Sequence, residues 1–102
     1  MVGGTLPKVV WNSRAAASLR EIYEWIRMDS PNNANLVREG IIEVINGLPN
    51  NPQKFPPDKF KKNNSGDYRA FEKFSYRVAY RFSSQEIRIL RIRHVKQEPK
   101  GY

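Results

Sequence analysis

The segment Tyr76-Arg77-Val78-Ala79-Tyr80-Arg81-Phe82 constrains this chain more than any other. Side chains alternate across a strand with a period of two. Tyr76, Val78, Tyr80 and Phe82 therefore share one face, and Arg77, Ala79 and Arg81 the other. A strand of this kind has one face to bury and one to leave polar, as in an antiparallel sheet covered on a single side. Asp67 to Phe74 reads as its partner, with Ser75 between them. Ser83-Ser84-Gln85 makes a tight turn into a last strand, Glu86 to His94. There Ile87 and Ile89 lie on one parity, and Leu90 and Ile92 on the other. That break in phase predicts either a central strand covered on both sides or a β-bulge.

The cover for the apolar face comes earlier in the chain. Ala16, Leu19, Ile22, Tyr23 and Ile26 recur at three- and four-residue spacing, which predicts an amphipathic helix over about residues 14–28 with Ser13 as N-cap. Ser30 followed by Pro31 starts a second helix, with an apolar stripe at Ala34, Val37, Ile41, Val44, Ile45 and Leu48. Gly47 and Pro49 end it near residue 48. A short connection makes the pair an antiparallel hairpin. Lys8 to Trp11 reads as a short strand, and Trp11 and Trp25 as packing anchors. The proline- and asparagine-rich stretch 49–66 is a loop whose Phe55 and Phe60 are expected to dock on the core. The predicted fold is α+β, in the order β-α-α-β-β-β: an N-terminal strand, then a helical hairpin packed on a mainly antiparallel sheet. One domain spans residues 1–102, with residues 1–6 flexible and 95–102 a tail. The sheet face carrying Arg77 and Arg81 is expected to be open and basic.

Composition narrows the chemistry. The 102 residues include no cysteine and one histidine. That excludes disulfides, thiolate metal sites and a cysteine nucleophile. No phosphate-cradling glycine loop and no metal-ligand spacing is present, so neither cofactor nor metal is expected. No apolar run is long enough to span a bilayer, and Met1 to Leu6 lacks the apolar core of a signal peptide. The expectation is a soluble cytoplasmic protein without membrane attachment. Net charge is +8, and thirteen of the 18 basic residues lie in residues 49–102 against five acidic ones. Such a half-domain predicts a polyanionic partner. One metal-free reaction fits these residues: RNA cleavage by the substrate's own 2′-hydroxyl, which needs a proton acceptor and donor and a cation on the phosphate. Arg77 is the candidate for the phosphate and His94 for proton transfer, with Arg69, Arg93, Lys96 and Tyr102 on neighbouring segments.

The order and spacing of these pieces resemble the RelE/ParE superfamily of type II toxin–antitoxin toxins. The resemblance is carried by the strand with Trp11, the Ser30-Pro31-Asn32-Asn33-Ala34 entry to the second helix, Leu48 followed by Pro52, Tyr68-Arg69, Tyr76-Arg77-Val78-Ala79-Tyr80, and the closing Ile87-to-His94 strand. It implies a helical hairpin on an antiparallel sheet, a neutralising antitoxin partner and growth arrest. The superfamily divides in mechanism. RelE-like members cleave mRNA on the ribosome; ParE-like members inhibit DNA gyrase without nuclease activity. In the nuclease reading, which is the one expected, Arg77 and His94 are catalytic. Arg69, Lys73, Arg81, Arg93, Lys96 and Tyr102 then hold RNA phosphates. The alternative is gyrase inhibition. The paired lysines of RelE proper are replaced here by Arg69 and Phe71, with Lys73 further on.

Overall fold

Ser30 and Pro31 set the turn of the helical hairpin. The Ser30 hydroxyl accepts the backbone N–H of Asn33, and Pro31 occupies the first helical position, where an N–H has no partner to lose. In the computed structural model, which describes residues 5–97 and 101–102, helix α1 spans Ser13–Arg27 and helix α2 spans Pro31–Gly47. The N-cap of α1 is Asn12, not Ser13, and its side chain makes no cap bond. Asn12 Oδ1 instead accepts from Arg88 Nη1 at 3.0 Å, which ties the helix start to the sheet. A 3-10 turn, Leu48–Asn50, follows α2 where Pro49 ends the helical hydrogen bonding.

Strands β1 (Lys8–Trp11), β2 (Tyr68–Lys73), β3 (Tyr76–Phe82) and β4 (Glu86–His94) form a mixed sheet in the order β1-β4-β3-β2. β1 runs parallel to β4, and the other pairings are antiparallel. β4 is therefore central, and it also carries a bulge. Ala79 pairs with Arg91 and Tyr80 with Ile89, so Leu90 is the extra residue. The bulge accounts for the broken phase, since the residues of β4 off the core face are only partly buried.

The core lies between the sheet and the hairpin. Val78, Tyr80, Phe71, Ile87, Ile89 and Ile92 meet Ala15 and Leu19 of α1 and Ile41, Ile45 and Leu48 of the second helix and its 3-10 extension. Tyr76 and Phe82 pack against this cluster partly buried, as the alternation predicts. The Tyr80 hydroxyl, enclosed by the core, donates to the Pro52 carbonyl at 2.7 Å and pins the start of the 51–67 loop. Trp11 packs on the core, whereas Trp25 is 74% exposed and anchors nothing. It stands on the flank of α1 beside Ile22, at the edge of an open cavity that Tyr76 and His94 of the sheet also line.

The β2–β3 hairpin turns at Phe74 and Ser75, both with positive φ (53° and 69°). The sequence places Phe74 in the strand because a two-residue turn of this hand normally announces itself with Asn or Gly. Gly40 of α2 allows the Phe74 ring to approach, and a Cβ there would overlap Phe74 Cε2.

The loop from 51 to 67 does not stay on one side. Phe55 docks on the core beside Phe71, ring centroids 5.0 Å apart. The chain then runs along the free edge of β2, bonding Ala70 N–H to the Pro56 carbonyl and Asp58 N–H to the Tyr68 carbonyl. This covers an edge that would otherwise be open to pairing. Phe60 lands on the opposite sheet face, away from the core, with Arg77 stacked 4.9 Å from its ring. Residues 1–4 of the segment expected to be flexible, and 98–100 of the tail, lie outside the described residues.

Two substitutions test this account with opposite signs. Tyr80→Phe removes one hydroxyl bond and should lower stability by about 1 kcal/mol. Ser75→Gly relieves a left-handed residue and should raise it by about 1 kcal/mol. Urea unfolding midpoints measure both.

Candidate functional site

The face of the sheet away from the helices is built from arginine. Cross-strand pairing sets Arg77 opposite Arg93, Ala79 opposite Arg91 and Arg81 opposite Arg88. The bulge at Leu90 makes this possible, because strict alternation after Arg88 would turn Arg91 and Arg93 toward the core. Like charges placed directly opposite destabilise a sheet unless counter-charges sit among them.

Asp58 supplies the central one. Its residue is 2% exposed. Oδ1 accepts from Arg77 Nη2 at 2.9 Å and from the Phe60 N–H at 3.0 Å, and Oδ2 accepts the Tyr102 hydroxyl at 2.7 Å. Burial pushes the Asp58 carboxyl up, but the bonds from Tyr102, Arg77 and Phe60 outweigh it and hold the group below its ordinary value of 3.8. The Tyr102 hydroxyl is raised by burial and by donating to Asp58.

Arg77 is paired twice. Its second arm meets Glu72 at 3.1 Å, and its side chain is 15% exposed. Tyr102 is held by its backbone as well. Its N–H donates to the Phe60 carbonyl, and its own carbonyl accepts the Lys62 N–H. Its ring stands edge-on to Tyr68 and lies 4.1 Å from the Arg91 guanidinium. Burial, and then the charge of Arg93, lower the Arg91 value. The face expected to be open is thus roofed around Arg77 and Arg91 by residues 58–62 and Tyr102, and open at Arg81 and Arg88.

The other candidates divide between the two faces. Arg81 is on the arginine face, bound to Asp67 at 2.8 Å and half exposed. Arg93 is there too, opposite Arg77. Arg69 pairs with Tyr80 and so lies on the helix side. It donates to the Gly66 and Phe55 carbonyls at 2.7 and 2.9 Å, and acts as a brace for the loop. Lys73 borders α2 near Gly40 and Glu43, also on the helix side. His94 pairs with Tyr76, and the two rings meet edge to face at 5.4 Å. Its Nδ1 accepts the Lys96 N–H at 3.0 Å, and the Lys96 side chain is exposed in the turn beyond. Arg77, Arg93 and His94 meet only at the rim of a cavity of about 110 Å³ at the end of β3 and β4. Arg69 and Lys73 do not join them.

Sequence reasoning passed over Asp58, which has no motif around it, and Arg88 and Arg91, whose face depends on the bulge. Among the described residues, no group of three or more His, Asp or Glu is placed to hold a metal ion, and no helix is long and apolar enough to cross a membrane.

The fold has known counterparts. Solved structures of similar fold include the chromosomal ParDE toxin–antitoxin system from P. aeruginosa (23% identity, TM-score 0.68, 87% of this chain and 96% of that one). The RelBE2 toxin–antitoxin complex from Mycobacterium tuberculosis is similar at 18% identity and TM-score 0.60, over 88% and 99% of the two chains. The YoeB dimer from Staphylococcus aureus is similar at 15% identity and TM-score 0.59, over 88% and 98%. No curated protein matches the chain by sequence.

The Asp58 clamp has a pH signature. A carboxyl held below its unfolded value contributes stability that is complete above the ordinary carboxylate range and lost as pH falls through the folded value. Asp58→Asn should cost about 1.5–3 kcal/mol at pH 7. Its deficit against the wild type should shrink on acidification, read as urea midpoints between pH 7 and pH 2. Parallel profiles would show that Asp58 contributes no charge-dependent stability.

Residues 9–99 match the family described as the ParE toxin of the type II toxin–antitoxin system parDE, and the chain belongs to that family.

Proposed function

We propose that this toxin arrests growth by binding DNA gyrase as a folded surface, without cleaving RNA, and that a cognate antitoxin neutralises it. One observation carries the choice: Arg77, the residue a nuclease of this fold would need for the phosphate, is already filled by Asp58 and Glu72. A phosphate would have to displace two carboxylates, one of them enclosed, and the anionic pair would oppose its approach. The surrounding groups support the same reading. His94 pairs with core-facing Tyr76 and reaches the Arg77 cavity only at its rim, and its Nδ1 is engaged by the Lys96 N–H. Arg69 is bound to backbone carbonyls, and Lys73 lies across the sheet. General acid–base catalysis needs such groups within hydrogen-bond reach of one reacting centre.

In this reading Arg77 is a structural cation. The membership of the ParE family agrees with it, as does the match of solved relatives with toxin–antitoxin systems. The antitoxin proposal rests on the same relatives.

Two assays on the purified full chain decide the target. A supercoiling reaction with DNA gyrase should be inhibited. A cell-free translation reaction read by primer extension should show an intact message, with or without ribosomes. Discrete ribosome-dependent cuts, with gyrase unaffected, would overturn the proposal and return Arg77 to a catalytic role.

A further inference from the structure

Three arginines of this face have carboxylate partners. Arg77 is bound by Asp58 and Glu72, Arg81 by Asp67, and Arg88 by Glu86 and Asn12. Arg93 differs. Its Nη2 is enclosed and, among the described residues, has no hydrogen-bond partner. A charged donor removed from water and left unmet carries its whole desolvation cost, and native proteins rarely keep one without a use.

The cavity beside it, about 110 Å³, is lined by Lys59, Glu72, Arg77, His94 and Gln97 along with Arg93, and Phe60 and Val95 complete its wall. Three cations there face one carboxylate, and that carboxylate, Glu72, is engaged by Arg77. We propose that this cavity is a carboxylate-binding site that takes one acidic side chain of a peptide partner, with the Arg93 guanidinium as anchor and Lys59 as the second cation. The size suits a small anionic group. A carboxylate on a slim aliphatic stem fits a space this small, whereas a backbone phosphate of RNA brings a sugar on each side. Glu72 at the rim further disfavours a dianion. Lys59 and Gln97 are exposed, so their side chains can swing to admit the acid to the enclosed nitrogen. A planar guanidinium then holds it through charge-assisted bonds. The inference rests on the toxin reading only for the presence of a protein partner, and its test involves no gyrase, so each can fail alone.

The experiment follows the arginine side-chain Nε–H signals of the full chain by NMR. The probes are an end-capped glycine pentapeptide with one central glutamate, its glutamine twin, inorganic phosphate and a short uridine oligonucleotide, each raised to roughly 10 mM. The glutamate peptide should shift Arg93 while the glutamine twin does not. Arg93→Gln should weaken that response about tenfold or more. The thermal midpoint of this variant should stay level or rise, because the donor has no partner to lose in the free protein. A fall in the midpoint would assign Arg93 a structural pairing and overturn the proposal. So would equal responses to the two peptides, or silence from both. A stronger response to phosphate or to the oligonucleotide than to the glutamate peptide would overturn it in favour of a nucleic-acid site.

Discussion

The enclosed carboxylate of Asp58 is the contact on which the rest of the sheet face depends. It joins three segments far apart in sequence: its own loop, Arg77 on β3, and Tyr102. Arginines crowd this face because β3 and β4 both send alternate positions there. Without a carboxylate inside the layer, Arg77, Arg91 and Arg93 would repel one another in a poorly solvated space. With it, the loop from 51 to 67 acquires a reason to cross the edge of β2 and lie over the sheet. The carboxylate meets three donors, which is what a buried ion needs if its attraction is to offset the loss of water. The same contact that completes the fold therefore also occupies the cation a nuclease would use.

The bulge in β4 is the second constraint. Ile87, Ile89 and Ile92 must all face the helices, yet the last lies an odd number of residues from the others. One extra residue, Leu90, reconciles them. The price of that shift falls on the opposite face, where Arg91 and Arg93 are turned toward Arg77. A change of core register is thus converted into a change of surface charge.

Much of the fold could be read from local pattern. The alternation in β3, the Ser30–Pro31 helix start and the apolar stripes of α1 and α2 each express a periodicity that the backbone enforces nearby. What escaped was non-local. The turn at Phe74 and Ser75 lacks the residues that favour positive φ, and tertiary packing of the Phe74 ring on Gly40 holds it instead. Asn12 caps α1 without a side-chain bond because Arg88, brought near by the parallel pairing of β1 and β4, takes its oxygen. At the site, the alternation correctly put Arg77 and Arg81 together. It could not show that Arg69 and Lys73 leave from the other face of β2, since that depends on register. Nor could it show that a lone aspartate in a proline-rich loop would reach Arg77 across 19 positions of chain.

Net charge was the least transferable signal. Thirteen cations in the second half of the chain suggest a broad basic surface. The sum counts each charge equally, whether it meets water, a carboxylate or a carbonyl. Arg77, Arg81 and Arg88 are matched by carboxylates, Arg69 by backbone oxygens, and Arg91 lies against the Tyr102 ring. Arginine suits this internal use because its flat fork can bind, brace and stack at once. The lysines, by contrast, remain largely at the surface, where they raise solubility and attract anions at long range. A sheet can therefore be dense in arginine and still offer few of them to a polyanion. What distinguishes a closed face from a phosphate-binding one is the placement of its carboxylates, and here one aspartate lies at the centre, bound to Arg77.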